Sequence, residues 1–431
     1  MSGEMRGAPR SSSPARGVPR GKPAFDLMKE RGFVSQCSNE EGLRKLLDTE
    51  QVTCYIGFDA TAPSLHIGNL AQVMLLAHMQ RAGHRPIALL GGGTTRIGDP
   101  SGKTEMRRIL PVETIDANVQ KFRGQVSRVL DFQGGRALLL DNAEWLAPLN
   151  YIEFLRDIGV HFSVNRMLTF EAYKLRLETG LSFIEFNYQV LQSFDYLTLF
   201  RRHGCRLQMG GDDQWGNIVA GMDLIRRIEG AEAFALTSPL VTRSDGKKMG
   251  KSEAGAVWLD AEMTRPYDFY QYWVNVPDED VKQFFLRFTF LPVEEIDGLC
   301  AARDQRINEA KRRLAFEVTS LVHGEPAARE AAEAARAAFG GGSEGADAAG
   351  IPSLEIPRAE LTAGIGLVDL LVRTGLCATK SDARRLVSQG GAYVGGGEVR
   401  DLDARITDRD ARDGAILLRA GKKRHFRIIV A

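Results

Sequence analysis

Two short stretches carry the residue types for chemistry on a phosphate. His66-Ile67-Gly68-Asn69 follows the turn Ala60-Thr61-Ala62-Pro63-Ser64 and opens a segment of helical periodicity. It puts an imidazole and an amide at a helix N-terminus, where backbone N–H groups and the helix dipole already favour an anion. Thr61 and Ser64 are the expected capping residues. Gly68 removes a side chain, so that a nucleotide can lie against the backbone. Far downstream, the turn-rich stretch Val241–Ser252 ends in Lys248-Met249-Gly250-Lys251-Ser252. Two ammonium groups on such a loop suit closure over a triphosphate, supplying positive charge where negative charge develops. Taken singly, each stretch has an ordinary alternative: a first-turn histidine and an exposed basic hairpin.

Three further clusters are polar where their surroundings are not. Gly98-Asp99-Pro100-Ser101-Gly102-Lys103-Thr104 resembles a P-loop only superficially, because Ile97 stands where the first glycine of that motif belongs. Lys103 and Arg107 share a face if the segment is helical, and suit a pyrophosphate; Asp99 suits an ammonium. Tyr188, Gln192 and Asp195 fall on one helical stripe among Phe183, Phe186, Leu191 and Phe194. Buried Tyr, Gln and Asp need partners, and a small polar ligand supplies them. Gly210-Gly211-Asp212-Asp213-Gln214 is a strand-end glycine turn. Adjacent carboxylates seldom converge on one point, so a metal or acid–base pair is set aside there. Asp213 suits a ribose and Gln214 a substrate contact.

These residues must be positioned by a scaffold that the apolar pattern outlines. Residues 51–56 read as a buried strand, Leu65–Ala82 as a helix with Leu70, Val73, Met74 and Ala77 on one face, and 86–91 as a second strand. This βαβ unit predicts an α/β fold with a Rossmann-like parallel sheet and its ligand at the carboxyl ends of the strands, beside Tyr55, His66 and Gly91–Gly93. Residues 112–187 read as a helical insertion. A strand at 206–211, a helix at 216–230 and Phe234–Val241 then lead into the lysine loop. The expected organisation is a disordered basic tail over 1–23 and a catalytic domain over 24–265. An α-helical domain over 266–339, a linker over 340–357 and a small α+β domain over 358–431 follow.

The chain has 431 residues, 44% hydrophobic and 26% charged, with a net charge of +1. That charge excludes a uniformly basic nucleic-acid binder but allows one basic face. Cys37, Cys54, Cys205, Cys300 and Cys377 form no zinc-spaced cluster, which fits reduced thiols in the cytoplasm. No apolar run approaches the ~20 residues that span a bilayer, so no membrane association is expected.

The two lysine- and histidine-bearing stretches, in this order, resemble the two signatures of class I aminoacyl-tRNA synthetases. Asn69 stands where that family often has His, and it cannot become cationic. Tyr55-Ile56-Gly57-Phe58-Asp59, the Gly98–Lys103 loop, the Tyr188–Asp195 stripe and the Gly211–Asn217 turn resemble the bacterial-type tyrosyl-tRNA synthetases in particular. The resemblance covers about residues 25–431. It implies that Tyr55 and Asp195 bind the substrate phenol, that Asp99, Tyr188 and Gln192 hold its ammonium, and that Gln214 contacts tyrosine. It places Gly57, Asp59, Thr61, His66, Gly68, Asn69, Gly211, Asp213 and Lys251 around ATP. His66, Asn69, Lys103, Arg107, Lys248, Lys251 and Ser252 then act on the phosphates. Mg²⁺ accompanies ATP through phosphates and water, with no metal site on the protein. The implied partners are L-tyrosine, ATP, tRNA(Tyr) and a second copy in a homodimer. Trp145, Leu149, Ile152, Phe154 and Phe183 are expected at that dimer interface.

Residues 362–431 hold thirteen basic against eight acidic residues. They resemble an S4-type RNA-binding domain, with Arg384, Arg385, Lys422, Lys423 and Arg424 as candidate phosphate contacts. Two other readings stay open from sequence. One is a structured-RNA binder with vestigial synthetase activity; the other is a tryptophan–tRNA ligase.

Overall fold

The computed structural model describes residues 22–101, 107, 109–242, 244, 249, 251–252, 255–301, 306–339, 352–412, 414–421 and 424–431. Six strands form the central sheet: β1 (Gln36–Cys37), β2 (Thr53–Phe58), β3 (Arg85–Leu90), β4 (Leu138–Asp141), β5 (Cys205–Gly211) and β6 (Phe234–Ser238). Their order is β1-β6-β5-β2-β3-β4, and all neighbours are parallel except β1 with β6.

Parallel strands of this kind are buried on both faces, so they read as apolar runs and still alternate side by side. Cys54, Ile56 and Phe58 of β2 and Ala88 and Leu90 of β3 join one apolar cluster. Tyr55, Ile87 and Leu89 point the other way into a second cluster. The first face is covered by the helices Ile67–Arg81 and Val112–Val126. The second is covered by Phe183–His203, which packs against Trp215–Glu229. The expected strands and helices at 51–56, 65–82, 86–91, 206–211 and 216–230 all occur, shifted by a few residues.

One element corrects the sequence reading. Residues 112–187 are not wholly helical: Leu138–Asp141 is a strand that extends the sheet beside β3. It is an edge strand, only half-buried, which left its apolar signal short.

After the lysine loop, Pro266–Val274, Val281–Phe288, Val293–Cys300, Ile307–His323 and Glu325–Phe339 are helices. Phe269, Trp273, Phe284, Phe285 and Phe288 are fully buried there, and the cluster they form is continuous with the first face of the sheet. Residues from Ser353 to Val430 build a separate core around a five-stranded sheet with helices Leu367–Arg373 and Lys380–Ser388. No described helix is long and apolar enough to cross a membrane.

Candidate active site

The carboxyl ends of β2, β3, β4 and β5 converge, and each ends in residues that accept or vacate space. Gly57 is the exposed position of an otherwise buried β2, with open space where a Cβ would be. At Gly91, after β3, a Cβ would lie 2.3 Å from Asp59 Oδ1, so glycine is needed for that carboxylate to sit there. Asp59 follows β2. Its Oδ1 accepts the Thr94 hydroxyl at 2.7 Å and its Oδ2 accepts the Tyr188 hydroxyl at 3.0 Å.

His66 itself is the N-cap of the Ile67–Arg81 helix. Its Nδ1 accepts the Asn69 N–H at 3.3 Å, while Asn69 Oδ1 accepts the His66 N–H at 3.1 Å. This reciprocal cap corrects the expectation that Thr61 and Ser64 cap the helix. Ser64 instead donates to the Leu65 carbonyl and accepts the Asp260 N–H. An Nδ1 that accepts leaves the ring proton on Nε2, so the imidazole is a neutral donor with a fixed tautomer. Gly68 has a further reason to be glycine. A Cβ there would stand 2.8 Å from the His66 ring, so its absence makes room for the capping imidazole.

Asp195 lies mid-helix on Phe183–His203 and is 2% exposed. Its Oδ2 accepts Asn142 Nδ2 at 2.9 Å and its Oδ1 accepts Trp145 Nε1 at 2.7 Å. Burial raises its carboxyl to about 7, with these two bonds pulling the other way. The Tyr55 hydroxyl is buried and lacks a hydrogen-bond partner among the described residues. Burial first, then the Asp195 charge, pushes it well above its ordinary range. Asp59 is raised to about 6, first by burial and then by the charge of Asp99.

Asp99 accepts the Ser101 N–H at 2.9 Å and Gln214 Nε2 at 2.7 Å. Gln214 Oε1 in turn accepts Gln192 Nε2 at 3.3 Å and Asn217 Nδ2 at 3.2 Å. Gln192 Oε1 is buried without a partner among the described residues. Arg107 donates Nε to the Asp99 carbonyl at 2.9 Å. Asp212 is held by Ser35 and Thr237, away from a shared point with Asp213, as expected for neighbours in sequence. A Cβ at Gly211 would press on Asp213 Oδ1 at 2.7 Å.

The structure therefore gathers Tyr55, Asp59, Asp99, Tyr188, Gln192, Asp195 and Gln214 around one end of the sheet, with Gly57, Thr61, His66, Asn69 and Arg107 at its rim. Asp59 and Asp99 lie close enough for the charge of one to act on the other, an arrangement that a bound ammonium would relieve. Lys103, Lys248, Lys422 and Lys423 lie outside the described residues. Of Lys251 and Ser252 the backbone alone is described, paired with Ala256 and Gly255.

Sequence reasoning missed Thr94, Asn142 and Trp145, the groups that hold Asp59 and Asp195. Trp145 and Phe154 were expected at a dimer interface. They lie instead in the chain's own core, 5% and 8% exposed. Ile152 and Phe183 are exposed, 71% each. Of the candidate RNA contacts, Arg384 and Arg385 are exposed on the Lys380–Ser388 helix, Arg385 pairing with Asp382 at 2.8 Å. Arg424 donates to the Leu376 carbonyl at 2.6 Å, so part of its guanidinium serves the fold. Among the described residues no group of three or more His, Cys, Asp or Glu is arranged to hold a metal.

Comparison with known proteins meets this geometry. The family described as "tRNA synthetases class I (W and Y)" matches residues 47–340, and the "Tyrosine--tRNA ligase SYY-like C-terminal domain" matches 346–428. A tyrosine–tRNA ligase of Caldanaerobacter subterraneus is 53% identical over 94% of this chain and 99% of its own length. The chain belongs to the tyrosine–tRNA ligases of class I. A tyrosine–tRNA ligase of Borrelia hermsii is 55% identical over 94% of the chain and 99% of its own length. Among solved structures, the C-terminally truncated mitochondrial tyrosyl-tRNA synthetase of Coccidioides posadasii superposes with a TM-score of 0.64. It is 31% identical and covers 73% of this chain and 92% of its own. As a tyrosine–tRNA ligase, the chain couples ATP to the joining of an amino acid and tRNA.

Proposed function

We propose that this ligase selects tyrosine through the paired Tyr55 hydroxyl and Asp195 carboxylate, one donor and one acceptor for a phenol. The observation that carries the reading is the buried, unpartnered Tyr55 hydroxyl under the influence of the Asp195 charge. Phenylalanine would leave the buried Tyr55 hydroxyl without a partner and offer Asp195 no further donor, which is costly in a buried site. An indole would offer one donor and no acceptor, and Asp195 already accepts the indole N–H of the chain's own Trp145. That argues against tryptophan.

Asp99, Tyr188 and Gln192 hold the ammonium of the substrate, with Gln214 bridging Asp99 to Gln192. Gly57, Asp59, Thr61, Gly68, Asn69, Gly211 and Asp213 line the adenosine side. The tyrosine carboxylate attacks the α-phosphorus of ATP in line; the bond to the bridging oxygen breaks and pyrophosphate leaves. The nucleophile arrives ionised, so no general base is needed, and the rate comes from positioning and electrostatics. His66 donates from Nε2, and Lys103, Arg107, Lys248, Lys251 and Ser252 meet the developing charge on the phosphates. Mg²⁺ accompanying ATP would offset part of that charge. A ribose hydroxyl at the tRNA 3′ end then attacks the tyrosyl carbonyl and AMP leaves.

The Ser353–Val430 region contacts tRNA phosphates through Arg384, Arg385 and the basic 422–424 stretch, and the chain works in the cytoplasm as a homodimer. Lys251→Ala tests the reading of the loop. It should slow single-turnover adenylate formation at least about 100-fold while tyrosine affinity changes less than about threefold. Equal losses in both would show that Lys251 serves ground-state binding.

A further inference from the structure

Asp280 stands outside every motif above, yet it is 2% exposed. It occupies the N-cap position of the Val281–Phe288 helix, and its side chain makes no capping bond to that helix. Both its carboxylate oxygens instead accept the backbone N–H of Ser244, at 3.1 and 3.0 Å. Oδ2 also accepts the Ser244 hydroxyl at 3.2 Å, and Oδ1 accepts Gln283 Nε2 at 2.7 Å. An enclosed carboxylate is costly unless hydrogen bonds satisfy it. Here the carboxylate grips Ser244 at the entry of the lysine loop.

The exit of that loop is fixed elsewhere. The Met249 N–H donates to the Val241 carbonyl at 2.9 Å, and the Met249 side chain is buried. Lys251 and Ser252 pair with Ala256 and Gly255. The next residues join the histidine signature. The Ile67 N–H donates to the Val257 carbonyl at 3.1 Å, the Leu259 N–H donates to the Leu65 carbonyl at 2.8 Å, and Trp258 bridges His66. The loop is thus tied to His66 on one side and to the helical region, through Asp280, on the other.

We propose that Asp280 is a positioning residue for the activation step: by holding Ser244 against the helical region, it fixes the entry of the loop that carries Lys251. The inference rests on the reading that Lys251 acts on the phosphates of ATP. A carboxylate that only stabilised the fold would lower the melting temperature and affect every variant background alike. A carboxylate that places Lys251 matters only while Lys251 is present.

The test uses the full chain in four forms: wild type, Asp280→Asn, Lys251→Ala and the double variant. Single-turnover adenylate formation and tyrosine Kd are measured for each. Asp280→Asn keeps the volume and one acceptor but loses the charge. The expected result is about tenfold slower adenylate formation with tyrosine Kd within about twofold of wild type. In the Lys251→Ala background the same substitution should cost less than about twofold. Equal losses in both backgrounds, or a wild-type rate in Asp280→Asn, overturn the inference alone. A Lys251→Ala chain at wild-type speed overturns the reading of Lys251 and the inference with it. If Asp280→Asn does not accumulate as folded protein, Ser244→Ala removes one contact and leaves the carboxylate bonded to the backbone. It should slow adenylate formation about two- to threefold, again only while Lys251 is present; additive loss there also overturns the inference.

Discussion

Asp195→Asn isolates the group on which tyrosine selection is proposed to turn. The native carboxylate takes two fixed donors, Asn142 Nδ2 at 2.9 Å and Trp145 Nε1 at 2.7 Å. An asparagine keeps one acceptor oxygen and sets its own NH₂ against the other donor. A charge-assisted bond to the substrate hydroxyl contributes about 1.5–3 kcal/mol, and a stranded buried donor costs about 1–3 kcal/mol. The second cost is present with and without substrate and so falls on stability; the first alone predicts a loss of about 1.5–3 kcal/mol, or roughly 10- to 150-fold, in kcat/KM for tyrosine. The assay is tyrosine-dependent ATP–pyrophosphate exchange at saturating ATP and about pH 8, where the native carboxyl is mostly ionised. Phenylalanine exchange should fall far less, so discrimination shrinks. A second arm uses pH. Because the carboxyl stands at about 7, tyrosine affinity should weaken as pH falls through that value, and Asp195→Asn should abolish that dependence. The same raised value makes the protonated form the stabilising one. Its contribution is present below the unfolded-chain value and lost as pH rises through about 7, opposite in sign to the effect on binding. A kcat/KM within threefold of wild type would remove Asp195 from the pocket.

Gly68→Ala should push the His66 ring off the Asn69 N–H, because the new Cβ would stand 2.8 Å from that ring. Loss of the cap costs about 1 kcal/mol, and adenylate formation should slow about tenfold with little change in tyrosine KM; a rate unchanged with the fold intact would refute the role given to the cap. Phe183→Asp probes assembly. Phe183 and Ile152 are 71% exposed, so sedimentation should find a wild-type dimer at micromolar concentration and a weakened one in the variant; a monomeric wild type would defeat the dimer. A chain ending at Gly340 should form tyrosyl-adenylate within about twofold of the full chain but charge tRNA at least about tenfold more slowly at moderate salt. Normal charging across a range of salt would deny the final region a role in tRNA binding.

The parts of this fold that were legible from sequence are the ones with local causes. β2, β3 and the helix between them announce themselves as apolar runs punctuated by glycine and a turn, because a parallel sheet is buried on both faces. β4 was not legible: Leu138–Asp141 is short, half-buried and at an edge, so it looked like part of a helical stretch. That one misreading also hid Asn142 and Trp145, which follow β4 and reach Asp195 from 53 and 50 positions away in sequence. The family resemblance assigns Trp145 to a dimer interface instead. The His66–Asn69 cap was obscured differently. Ser64 and Thr61 are the stronger capping types, and only the backbone path shows that the helix begins later. Asp280 carried no local signal, since an aspartate at a helix start ordinarily caps its own helix.

The central claim is that one buried pair, Tyr55 and Asp195, commits this synthetase to tyrosine. Its most direct test is ATP–pyrophosphate exchange run with each amino acid in turn on the full chain. The account predicts exchange with tyrosine, with phenylalanine and tryptophan lower by orders of magnitude and no ATP turnover without an amino acid. Exchange supported equally well by tryptophan or phenylalanine would contradict it.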